Sequence, residues 1–315
     1  MNALQIKPRA LAGGIASMLP GLRAYTCRGS GGTCSARYCY SVWLRHLIRL
    51  HENALPTSFA SVAELGPGDS IGIGLAAVLS GTDRYIALDV KAHANPETNL
   101  RIFDELVALF RARAPLPDDA EFPLMQPKLP RYDFPDHLLS DPWLSVSLAE
   151  PRLSCIRDAI RGQRGPIDIS YVAPWYEPSV VEEDSVEFLF SQAVLEHVDD
   201  LDTAYAAMQR SLKPGGIMSH SIDFSSHNVT RAWNGHWTLS DRAWRLVRGD
   251  RPYLINREPL SRHLALLQEY GFDVVKVESR RDAVSRSFRR ARRFRSISDD
   301  DVRTRGAFVV ARARG

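Results

Sequence analysis

Short continuous apolar runs alternate with amphipathic stretches along most of the chain. SVAEL (61–65), RYIALDV (84–90), IDISYVA (167–173) and VEFLFS (186–191) read as strands buried on both faces. IMSHSIDF (217–224), FDVVKVES (272–279) and GAFVVARA (306–313) read as three more. Between them lie helical periods. Ser35–His51 places apolar groups at Tyr38, Val42, Leu44, Leu47 and Ile48 behind a Ser N-cap. Further helices are expected after the glycine turn to about Leu79, and over 96–113, Val146–Ile160, Asp200–Leu212 and 258–270. This alternation specifies an α/β layered sheet with helices on both faces. Residues 91–166 interrupt the rhythm between strands two and three with a helix, a Pro-rich loop and another helix. A loop that long inside a compact domain suggests a binding surface, a lid or a dimer arm. The organisation expected is a lead-in with an amphipathic helix over 1–55, then one domain over 56–315.

Composition changes this picture little. The chain has 315 residues, 44% hydrophobic and 24% charged, enough for a sizeable core. No apolar stretch approaches the roughly 20 residues of a membrane span. Lys7 and Arg9 precede the apolar run Ala10–Leu19, but Gly13, Gly14 and Pro20 interrupt or end it, so no secretory signal is expected. Cys27, Cys34, Cys39 and Cys155 contain no C-x-x-C pair, and free thiols in a reducing cytoplasm are expected. Charge is more informative. Twelve Arg against four Asp from Ser279 to Gly315 give +8, and the chain's total of +3 leaves −5 elsewhere. A basic terminal segment on an acidic body suggests an anionic partner on one side.

The turn after strand one, in VAELGPGDSIGIG (62–74), narrows the chemistry. A dinucleotide fingerprint needs a third glycine at position 71, which is Ile, and Gly72 comes one residue late. A P-loop needs Lys before Ser70, and none is there. Glu64 would repel a pyrophosphate but suits a ligand amino group. Asp89, at the end of strand two, is placed to accept hydrogen bonds from a ribose diol. An adenosine carrying a cationic amino-acid tail meets both requirements.

Four ordered pieces, ELGPGDS (64–70), ALDV (87–90), SQAVLEHV (191–198) and LKPGG (212–216), make the chain resemble the class I S-adenosylmethionine-dependent methyltransferases. The resemblance implies a Rossmann-like seven-stranded sheet with strand seven antiparallel between five and six, and S-adenosylmethionine as cofactor. It implies that Gly66, Pro67 and Gly68 let the backbone approach the cofactor, with Ser70 where a third glycine usually stands. Asp89 would hold the ribose. Ala173, Pro174 and Trp175 would meet the adenine, and Ser191, Gln192 and Ala193 would line the sulfonium. LEHV (195–198) also resembles a metal-dependent branch, in which a Glu three residues before the Glu-His pair completes the ligand set. That position is Ala193 here, so no metal is expected.

Methyl transfer from a sulfonium is an in-line displacement, and a hydroxyl acceptor profits from a general base. At the carboxyl edge of the sheet the candidates are His197, His220, Asp223, His227 and His236; His227 is chosen as base, supported by Asp223 or His197, and His220 is read as structural. Aromatics mixed with Asp, Asn, His and Arg in 132–144 and 227–246 suit a saccharide or related small acceptor. This reading resembles methyltransferases of surface-polysaccharide assembly. The alternatives are an RNA methyltransferase using the Arg-rich run Ser285–Arg295 and an inactive fold kept for binding.

Overall fold

The computed structural model describes residues 6–19, 33–177, 180–251, 253–282 and 289–315. Cys27, parts of the 1–35 lead-in and Ser285–Phe288 of the Arg-rich run lie outside them. Strands β1 (Ser61–Leu65), β2 (Arg84–Leu88), β3 (Asp168–Val172), β4 (Val186–Gln192), β5 (Leu212–Asp223), β6 (Phe272–Arg281) and β7 (Thr304–Ala313) form one sheet in the order β3-β2-β1-β4-β5-β7-β6. The pairs from β3 to β5 are parallel, and β7 runs antiparallel to both β5 and β6. This is the architecture anticipated from the sequence.

Parallel strands need both faces covered, and the central runs carry the apolar side chains for it. On one face α2 (Ala36–Glu52), α3 (Gly72–Leu79), α4 (Pro96–Arg111) and α6 (Glu150–Ile160) pack Trp43, Leu47, Leu75, Phe103, Phe110 and Ile156 against the strands. On the other, α7 (Leu201–Ser211) and α9 (Leu260–Glu269) contribute Leu201, Tyr205, Met208, Leu266 and Leu267. Capping follows the sequence. Ser35 Oγ accepts the Tyr38 N–H at 3.3 Å, and Asn95 and Asp200 cap α4 and α7 in the same way. No helix among the described residues is long and apolar enough to cross a membrane.

Two sequence expectations shift. The single helix expected over Val146–Ile160 is two, α5 (Asp141–Ser147) and α6, because Pro151 lies in the first turn of α6 and Ala149 before it is extended. Strands β2 and β3 end at Leu88 and Val172, so Asp89 and Ala173 stand just beyond them, in the loops at the carboxyl edge.

The 91–166 insertion is stapled to α2. Tyr40 Oη donates to Ala114 O at 2.7 Å, and Arg37 meets Pro115 O and Glu121. Arg45 is fully buried, with its guanidinium on Pro117 O (2.9 Å), Pro127 O (2.5 Å) and Ser41 Oγ (3.0 Å). A buried guanidinium satisfied by carbonyls fixes the loop rather than freeing it to open. These contacts hold the 114–128 stretch of the insertion against α2.

Candidate functional site

The first half of the site is the glycine turn. Gly66 is left-handed (φ +69°), and a Cβ there would fall 2.6 Å from Val194 Cγ2, so only glycine lets the β1 and β4 exits pass each other. Ser70 Oγ donates to Thr33 O and its N–H goes to Thr33 Oγ1, while the Ile71 N–H goes to Asn99 Oδ1. Thr33 and Asn99 thus brace the turn, a role that local sequence around the turn does not signal. Glu64 faces inward. Its Oε2 accepts Tyr85 Oη–H at 2.6 Å and the Gly74 N–H at 3.2 Å, and burial lifts its pKa to about 8.

Asp89 is nearly buried, with Oδ1 accepting the Val90 N–H at 2.7 Å and Oδ2 accepting Tyr171 Oη–H at 3.2 Å. Each carboxylate oxygen keeps a further lone pair. The Trp175 N–H returns to Asp89 O, and the indole is buried in the core under this edge. Only its place two residues before Ala173 signals Tyr171 in the sequence as a neighbour of Asp89.

The second half lies at the β4 and β5 exits. Ser191 Oγ and His220 Nδ1 are 2.7 Å apart across the β4–β5 pair, both buried. Gln192 Nε2 donates to Gln126 O of the insertion at 3.0 Å, and its Oε1 is buried with no described partner. Ala193 leaves the strand left-handed (φ 56°), with its N–H on Ser221 O.

Beyond it, Asn256 clamps the Leu195–His197 turn. Its Nδ2 donates to Leu195 O and Val198 O, both at 2.8 Å, and its N–H to Glu196 O at 2.7 Å. This clamp brings Glu196 and His197 against the β5 exit. Glu196 Oε1 accepts the Asp223 N–H at 3.2 Å, and Oε2 is buried without a partner. Burial, and then Asp223, push the Glu196 carboxyl up to about 8. Burial works against ionised Asp223, but hydrogen bonds from His227 and the Ser225 N–H outweigh it and hold its pKa at about 2.

His227 Nε2 stands 3.4 Å from Asp223 Oδ2, and the rings of His197 and His227 are 5.0 Å apart. The turn holding His227 is left-handed at two successive residues (φ 44° and 63°), and Lys7 Nζ pins Asn228 Oδ1 at 2.9 Å. Burial lowers His197 to about 4, so it is neutral at pH 7. His197, Asp223 and His227 are therefore neighbours, as the sequence reading grouped them. Behind them a cavity with room for about one water is lined by Glu196, Asp223, Phe224, His236, Ile255, Asn256, Arg257 and Glu258.

Ligand atoms of Glu196, His197 and His227 all lie within 4.8 Å of one another, a two-histidine, one-carboxylate spacing that a metal ion can span. Counting ligands along LEHV alone leaves out His227, which arrives from the loop after β5. Chelation with EDTA is expected to leave methyl transfer unchanged, because a Glu196 held neutral is a poor ligand. Activity lost to the chelator and restored by Mg²⁺ or Mn²⁺ would move His227 from base to ligand.

The aromatic and basic segments land elsewhere than the sequence suggested. Trp237 and Trp244 are buried in two small cores and offer no stacking face. Phe294 is buried, with Arg257 and Arg293 over its ring, and Arg290 and Arg293 pair with Asp299 and Glu258.

The strand order and the paired loops at its carboxyl edge are joined by a match in sequence: residues 144–219 fit a family described as a methyltransferase domain. Over residues 144–219 the chain is similar to that methyltransferase family, and its seven-stranded sheet is a Rossmann-like methyltransferase fold. No curated protein matches the chain. Among solved structures, an S-adenosylmethionine dependent methyltransferase from Mesorhizobium loti is 13% identical, covering 84% of this chain and 96% of that one at a TM-score of 0.41. One from Methanosarcina mazei is 12% identical, covering 84% and 97% at 0.42. Phosphoethanolamine N-methyltransferase 2 of Haemonchus contortus, in complex with S-adenosyl-L-methionine, is 13% identical, covering 89% and 57% at 0.42. The bare Gly66 turn and the lone pairs left on Asp89 suit a ligand with a ribose.

Proposed function

We propose that the chain transfers the methyl group of S-adenosylmethionine to a hydroxyl of a small polar acceptor, a saccharide or related polyol. Gly66, Gly68 and Asp89 would hold the cofactor's amino-acid and ribose ends, with Ser191, Gln192 and Ala193 beside the sulfonium. The observation that carries the hydroxyl reading is the Asp223–His227 pair at the β5 exit. An amine attacks a methyl group unaided, whereas a hydroxyl profits from losing its proton as the bond forms. Asp223 favours the proton on Nε2 and leaves Nδ1 of His227 to accept the acceptor's proton. The O–CH₃ bond forms as the S–CH₃ bond breaks, and the second product is S-adenosylhomocysteine.

The RNA alternative is weakened by the ion-paired Arg290 and Arg293 and the buried Phe294, since stacking on bases needs exposed rings.

Calorimetry with S-adenosylmethionine, S-adenosylhomocysteine and NAD tests the cofactor half. Both sulfur ligands are expected to bind and NAD is not. Asp89→Ala is expected to weaken both by about 10–100-fold, the worth of hydrogen bonds to a charged group. A screen of sugars, polyols and amines tests the other half; transfer to amines alone would sink the hydroxyl reading.

A further inference from the structure

The apolar run Ala10–Leu19 serves neither the sheet nor the site. It forms α1 (Pro8–Ser17), which crosses α8 (Asp241–Arg248). Gly14 makes the crossing close: a Cβ there would fall 2.2 Å from the carbonyl oxygens of Leu246 and Val247. Ser17 Oγ locks it, donating to Gly14 O at 2.6 Å and accepting the Asp250 N–H at 2.9 Å. Beneath the pair, Ala10, Val229, Leu239, Trp244, Val247 and Ile255 form a small core. The Lys7 N–H reaches Val229 O at 2.9 Å, two residues from His227. The helix pair is thus a rigid cap next to the acceptor side of the edge.

Its outer face is unusual. Ile15, Met18, Leu19 and Leu246 are 48%, 43%, 51% and 50% exposed. Arg9, Arg242 and Arg245 are exposed on the same two helices, and none is paired with a described residue. Arg242 lies one turn before Leu246 on the same face of α8, so charge and apolar surface meet there.

We propose that the α1–α8 face docks on the surface of an anionic phospholipid bilayer. Aliphatic side chains that enter the headgroup–acyl boundary, flanked by arginines that meet lipid phosphates, are what such a surface recognises. A second copy of this chain fits less well, because self-association would bring Arg9, Arg242 and Arg245 against their own like charges. RNA fits less well because the exposed centre is aliphatic and the one tryptophan of α8, Trp244, is buried. Docking there would hold the His227 edge close to the membrane plane, whichever acceptor the enzyme uses.

The test is co-sedimentation of the full chain with vesicles of phosphatidylglycerol and phosphatidylcholine in equal parts, against vesicles of phosphatidylcholine alone. Preferential partition to the anionic vesicles is expected. Arg242→Ala with Arg245→Ala should weaken it about 30-fold, and Ile15→Asp with Leu246→Asp about a hundredfold or more. All four sites are exposed, and unchanged S-adenosylmethionine affinity would show that each variant is folded. No partition, equal partition to both vesicles, or partition that both double variants retain would overturn the proposal. So would a concentration-dependent dimer that Leu246→Asp dissolves, or RNA binding that the same variants abolish while vesicles are ignored.

Discussion

Replacing His227 by alanine is expected to lower kcat for transfer to a hydroxyl acceptor by about 10²–10⁴-fold, the usual contribution of a positioned base. The affinity for S-adenosylmethionine should stay unchanged, because no cofactor contact is assigned to this residue. Stability should fall by about 1 kcal/mol, since the side chain is mostly buried and its hydrogen bond helps hold Asp223 ionised. Asp223→Asn removes the group that fixes the imidazole tautomer, so it should cost a large part of the same factor. The double variant should be far less than the product of the two, because both changes disable one unit. Single-turnover methyl transfer with saturating cofactor measures all three. A loss below tenfold in His227→Ala, or full additivity with Asp223→Asn, would falsify the base assignment. A transfer that survives intact to a thiol or amine acceptor in the same variant would strengthen it.

Much of this architecture is legible in the sequence because its signals are local. The buried strands are unbroken apolar runs, the Ser35, Asn95 and Asp200 caps sit where helical periods begin, and glycines mark the turn at Gly66. The split at Pro151 went unforeseen because the apolar period continues through it; the missing backbone donor, not the side-chain pattern, decides the break. What the sequence hides is assembled from a distance. Arg45 and the insertion loop are 72 and 82 residues apart, and Asn256 reaches the Leu195–His197 turn across about 60. The tryptophans misled for a related reason. An aromatic-rich, polar stretch is the same in sequence whether its rings face a ligand or, like Trp237 and Trp244, fill small cores of their own.

Stability is expected to peak near pH 6.5 and to fall on both sides, more steeply in acid. Burial lowers His46, His220, His236 and His263 to about 3 and His197 to about 4, against 6.5 in an unfolded chain. These depressed values mean that the unfolded chain takes up protons first as pH drops, so their stabilisation is complete above 6.5 and is lost below it. Burial raises Glu64 and Glu196 to about 8 from 4.5. Their sign is opposite. Their stabilisation is full below 4.5 and is lost as pH rises through 8, because the unfolded carboxylates ionise first. Each group contributes roughly 1.4 kcal/mol per pH unit in its window. Between 6.5 and 4.5 five histidines oppose two carboxylates, leaving about 4 kcal/mol per unit in favour of acid unfolding. Between 6.5 and 8 the carboxylates act alone, at about 3 kcal/mol per unit in favour of alkaline unfolding. Urea titrations from pH 5 to 9 measure the curve directly. Glu64→Gln should flatten the alkaline arm, since the amide oxygen still accepts from Tyr85 or Gly74 without ionising. His46→Gln should flatten the acid arm, since the amide can still meet Ser219 Oγ, which lies 2.6 Å from His46 Nδ1. Stability that kept rising from pH 6.5 to 8 would show that Glu64 and Glu196 are charged in the folded protein. Glu196 would then be available to a cation, and the chelation experiment would decide the role of His227.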